Sequence, residues 1–72
     1  MTRITDADSF GAAIRARRKE LGYTQAYIAE FTGLSTSFLS DLENGKKTIE
    51  LEKALSVAML LGLDLTLRVR GS

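Results

Sequence analysis

Side chains suited to acid–base or metal chemistry are scarce in this sequence. It has no His and no Cys, which excludes the usual zinc ligand sets and any disulfide. Its acids are scattered singly along the chain, with no metal-ligand cluster and no Gly-rich phosphate loop. An enzyme is therefore not expected, nor is a cofactor, a metal or a small-molecule ligand. What remains is hydrogen bonding and charge. Hydroxyls gather at Ser35, Thr36, Ser37 and Ser40. Cations gather at Arg15, Arg17, Arg18 and Lys19, at Lys46 and Lys47, and at Arg68 and Arg70. The net charge is only +1, so these clusters fit either a nucleic-acid partner or a solvated face.

These groups need elements to position them. At 72 residues the chain is read as one domain. With 44% apolar and 26% charged residues it should be globular, though with a small core that oligomerisation would help to stabilise. No apolar run reaches the roughly 18 residues of a membrane span. The N-terminus lacks a signal-peptide pattern, and the expected location is cytoplasmic.

Apolar periodicity and Gly punctuation predict four helices, at about 6–21, 25–32, 36–44 and 50–61. Thr5 and Asp8 have capping-box spacing before the first helix. Thr24 and Ser35 are the expected N-caps of the second and third. In the fourth, Leu51, Leu55, Ala58 and Leu61 form the expected apolar stripe. The tail changes period. Leu63, Leu65, Leu67 and Val69 alternate with Asp64, Thr66, Arg68 and Arg70, which predicts a strand over about 63–70. A lone strand leaves its backbone groups unpaired. The same segment of a second copy is the simplest partner, so the fold class expected is all-α, with four helices and a short C-terminal β-strand pairing across a homodimer.

Residues 25–44 narrow the reading further. Ala29 is small where one helix must cross another, and Gly33 permits a turn with positive φ. Leu34 anchors the turn inward, and Leu39 and Leu42 bury the next helix. Each match is bland alone; in register they specify a helix-turn-helix. In that motif the start of the second helix reaches base edges in the major groove. Thr36 and Ser37 are then the candidates for base contact, and Ser35 for a cap that also meets a phosphate. Ser40 is read as a phosphate or base contact, and Asp41 as an acceptor from cytosine N4 at the cost of nearby phosphates. Phe38 has the spacing of a core residue. Tyr27 and Phe31 are either a locally packed i,i+4 pair or a partner surface.

The stretches Leu21-Gly22-Tyr23-Thr24-Gln25, Ile28-Ala29, Gly33-Leu34-Ser35 and Leu42-Glu43-Asn44-Gly45-Lys46 resemble the XRE-type helix-turn-helix family of phage repressors and Cro proteins. The resemblance covers about residues 10–62, though the common Pro after the third helix is missing. It implies that Gln25 clamps a phosphate, and that Asn44, Lys46 and Lys47 lie along the DNA backbone. For Phe38 the resemblance implies a place on the DNA side instead of the core, where its ring would pack on a thymine methyl. It also implies that Arg18 and Glu43 tie the first helix to the end of the third. The tail, Leu60-Leu61-Gly62-Leu63-Asp64-Leu65-Thr66-Leu67, resembles the HipB-like antitoxin branch. That resemblance implies a strand exchanged across a dimer, operator DNA with an inverted repeat, autoregulation and a HipA-like kinase toxin as partner. The competing reading is a helix-turn-helix that serves protein interaction, or a stand-alone regulator without a toxin.

Overall fold

The computed structural model describes residues 3–71. Four helices follow in order: α1 (Ala7–Glu20), α2 (Gln25–Thr32), α3 (Thr36–Glu43) and α4 (Leu51–Leu60). Three of them start where a short polar side chain satisfies a backbone N–H that the helix leaves free. The Thr24 hydroxyl accepts from the Tyr27 N–H at 3.0 Å, and the Ser35 hydroxyl accepts from the Phe38 N–H at 3.0 Å. At α1 the capping box is Asp6 with Ser9, not Thr5 with Asp8. The Asp6 carboxylate accepts from the Ser9 N–H at 2.7 Å, and the Ser9 hydroxyl accepts from the Asp6 N–H at 3.1 Å. A Ser at the third helical position fills the role that spacing alone gave to Asp8.

All four helices converge on one apolar cluster. Ile14 of α1, Ile28 of α2, and Leu39 and Leu42 of α3 meet Ala54, Val57 and Ala58 of α4 and Leu61 just beyond it. Burying a Val, Leu or Ile side chain stabilises by roughly 1.5–3 kcal/mol, and each helix buries at least one of them. The buried face of α4 differs from the expected stripe. Leu51 is 65% exposed, whereas Ala54 and Val57 are buried. Seven of the ten α4 residues, LEKALSVAML, are apolar, so periodicity defines no unique side and packing chooses the narrow Ala54–Ala58 edge.

The helix pair α1–α3 makes a close approach that only glycine permits. Gly11 is buried, and a Cβ there would collide with the Leu42 carbonyl oxygen and lie 2.8 Å from that of Glu43. The α2–α3 turn is clipped by Thr32. Its hydroxyl donates to the Ile28 carbonyl at 2.7 Å and accepts from the Leu34 N–H at 3.2 Å, while Gly33 takes φ 77°.

The tail departs from the expectation. Among the described residues there is no strand, and 63–69 form no regular element. A strand exists only through ladder hydrogen bonds to a second strand, and no other strand is present among the described residues. Leu63 behaves differently from its neighbours. Its side chain packs on the core, and its N–H donates to the Ala58 carbonyl at 2.9 Å. Arg17 pins the root of the tail, its Nε donating to the Leu61 carbonyl at 2.8 Å. Beyond this anchor Leu65, Leu67 and Val69 are exposed. No helix among the described residues is long and apolar enough to cross a membrane.

Candidate nucleic-acid interface

Advancing at about 100° per residue, α3 divides into two faces. Leu39, Leu42 and Glu43 are buried on one side. Thr36, Ser37, Ser40, Asp41 and the C-cap Asn44 share the other. Ser35, Thr36 and Ser37 are exposed, and the Thr36 and Ser37 hydroxyls form no hydrogen bond among the described residues. Ser35 already uses its oxygen as the N-cap. Phe38 lies at the border between the faces, half-buried with its ring packed on the core cluster. Of its two sequence readings, core packing is the one the geometry displays.

Further along the outer face the polar groups are partnered. The Asn44 Nδ2 donates to the Ser40 hydroxyl at 3.3 Å. Lys46 meets the Asp41 carboxylate at 3.4 Å, so this acid is offset by a cation on the same surface. Lys47 is exposed. The Asp6 carboxyl is held below its ordinary value, first by the Ser9 N–H and then by the Ser9 hydroxyl, with the charge of Lys47 a smaller contribution.

Beneath this face lies a closed polar hub. Arg18 grips Glu43 with two bonds, Nε to Oε2 at 2.7 Å and Nη2 to Oε1 at 2.9 Å. Its Nη1 donates to the Tyr23 carbonyl at 2.8 Å, which ties in the α1–α2 connection. Gln25 Nε2 donates to Glu43 Oε1 at 3.1 Å. The Glu43 side chain is only 4% exposed. Desolvation by itself would raise its pKa, but bonds from Arg18 and Gln25 and the charges of Arg18 and Arg15 together bring it below the ordinary value. Arg18 moves the complementary way, raised by its bond to Glu43. The hub thus joins α1, the start of α2 and the end of α3 through fully paired groups.

Sequence reasoning placed Gln25 at a phosphate, but its amide is turned to Glu43 instead. Its half-buried position still leaves it in the first turn of α2, where helix N–H groups favour anions. The roles of Gly11, Thr32 and the Tyr23 carbonyl were not foreseen. Only Thr32, directly before a helix-ending Gly, carried a local signal.

The helix-turn-helix family HTH_3 matches residues 14–67, which span the polar hub and the outer face of α3. The chain belongs to the XRE-type helix-turn-helix family of DNA-binding transcriptional regulators. The ImmF control region 10 kDa protein of Bacillus phage phi105 is 36% identical over 62 residues, covering 86% of this chain and 69% of that one. The HTH-type transcriptional regulator y4mF of Sinorhizobium fredii (strain NBRC 101917 / NGR234) is 35% identical over 69 residues, covering 96% and 91%. Among solved structures, a HipB-O4 20mer complex aligns with TM-score 0.88 at 23% identity, covering 97% of this chain and 99% of that one. A HipA-HipB-O2-O3 complex aligns equally well, with the same TM-score, identity and coverage. At this identity the likeness concerns the fold, which the helix-turn-helix shares with those chains.

Proposed function

We propose that the chain is a sequence-specific transcriptional repressor that reads an inverted repeat as a homodimer. The observation that carries this reading is the open first turn of α3, with free Thr36 and Ser37 hydroxyls, on a helix clamped by the Arg18–Glu43–Gln25 hub. A rigid element with unpaired polar tips suits base edges in a groove. In this reading Thr36 and Ser37 contact bases, and Ser40 supports them. Ser35, the first turn of α2 at Gln25, Asn44, Lys46 and Lys47 hold phosphates, which sets the register. Lys46 also shields Asp41 from those phosphates, and Phe38 contributes through the core on which it sits.

Dimerisation is assigned to the tail. Leu65 and Leu67 leave apolar surface exposed beyond the Leu63 anchor. Val69 continues the same alternation. To read an inverted repeat, the dimer would present its two copies of α3 about one DNA turn, roughly 34 Å, apart. The finer reading is a HipB-like antitoxin that represses its own operon and binds a HipA-like kinase toxin. It is supported by the tail pattern and by the fold shared with chains in HipB–DNA and HipA–HipB complexes.

The test is selection of bound duplexes from a random pool, with stoichiometry measured at several salt concentrations. An inverted repeat bound by two chains, weakening steeply with salt, is the expected outcome. Absence of any selected sequence would favour the protein-interaction reading.

A further inference from the structure

The face of α2 turned away from the core carries a feature that DNA recognition does not use. Gln25, Ile28, Ala29 and Thr32 lie on the inner side of α2, half-buried or buried, while Tyr27, Glu30 and Phe31 are exposed on the outer side. Gln25 reaches the end of α3 from that inner side, away from the exposed Tyr27, Glu30 and Phe31. The rings form a stack along it. Tyr23 and Tyr27 have centroids 4.8 Å apart, and Tyr27 and Phe31 6.2 Å apart at a tilt of 35°. Tyr27 is 46% and Phe31 66% exposed. Together with Glu30 they line an open notch of about 330 Å³. The Glu30 carboxylate has no hydrogen bond or ion pair among the described residues. α2 itself contains no Lys or Arg.

We propose that the Tyr27–Glu30–Phe31 notch docks an arginine side chain of a partner protein. Exposed Tyr27 and Phe31 ring surface beside an unpaired Glu30 carboxylate offers both of the attractions a guanidinium takes: stacking on a π-surface and paired bonds to a carboxylate. An ammonium lacks the flat face and the fork, so arginine is preferred over lysine. The same carboxylate repels a phosphate backbone, which directs the notch to protein and away from nucleic acid. This inference does not depend on the identity of the operator or on dimerisation.

The experiment is an NMR titration of the intact chain with acetyl-Gly-Arg-Gly-amide, its Lys counterpart and its citrulline counterpart. The Arg peptide should shift the Tyr27 and Phe31 ring protons and the Glu30 resonances, more than the Lys peptide does. The citrulline peptide, isosteric but neutral, should leave them in place. Phe31→Ala and Glu30→Gln should each weaken the Arg response by about fivefold. Phe31→Leu keeps apolar bulk without a ring, and it should weaken the response at Tyr27 and Glu30 by as much, even if the Ala variant proves poorly folded. Equal shifts with citrulline, shifts spread over all exposed acids, or an unchanged response in Glu30→Gln would overturn the proposal. So would direct perturbation of the Tyr27 and Phe31 rings by duplex DNA with none by the Arg peptide.

Discussion

The two ends of α3 contrast sharply. At its start, Thr36 and Ser37 stand in solvent with no partner among the described residues. At its end, Glu43 is buried under bonds from Arg18 on α1 and Gln25 on α2. One helix of eight residues therefore divides two tasks. The paired end fixes its direction, because a buried ion pair tolerates little change in geometry without leaving a charge uncompensated. The open end keeps its hydrogen-bonding capacity for a ligand. A helix free at both ends would not hold its angle, and one paired at both ends would have nothing to offer.

Several substitutions break or sharpen this contrast. The largest effect is expected from Glu43→Ala, which leaves Arg18 nearly buried and bound only to the Tyr23 carbonyl. The loss should be about 3–5 kcal/mol, read by urea unfolding, enough to unfold much of a small domain. A loss near zero would mean that the hub does not hold the fold. Gly11→Ala comes next. In an open helix this change gains up to about 1 kcal/mol. Here the new methyl meets the Leu42 and Glu43 carbonyls, so a net loss of about 1–3 kcal/mol is expected. DNA affinity should fall with it, because α3 must shift; a stabilised variant would refute the close approach. Thr36→Ala and Ser37→Ala act at the other end. Each should leave the unfolding midpoint unchanged and weaken operator binding by about 1 kcal/mol per lost base contact, measured by gel shift. Full affinity in both variants would remove base reading from this turn.

The smallest signal is the pH dependence of the hub. The Glu43 carboxyl is lowered from an ordinary value of 4.5, so the unfolded chain binds its proton more readily than the folded one. Its contribution to stability is complete above that ordinary value and is lost as pH falls through the lowered folded value. Glu43→Gln should therefore flatten the acid limb of a stability–pH curve relative to the unsubstituted chain. Asp6 is shifted in the same direction in both proteins, by its bonds to Ser9, and so drops out of the difference.

Local rules made much of this protein legible in its sequence. The N-caps Thr24 and Ser35 and the turn at Gly33 lie within a few residues of the bonds they make, so the start of the candidate reading helix was readable from types and spacing. The inward positions Ile28, Leu39 and Leu42 followed from helical period for the same reason. Tertiary packing decided the rest. α4 is apolar on most sides, and which edge it buried depended on its neighbours. Gln25 turned to Glu43, 18 positions away, and Gly11 proved essential only because α3 runs against it. The tail has a strand's alternation without a strand, since a ladder needs a second edge that is not present among the described residues. Helix starts and turns are set by bonds between near neighbours, which a linear pattern encodes. Faces, close approaches and sheet edges are set by distant segments, which only the assembled fold brings together.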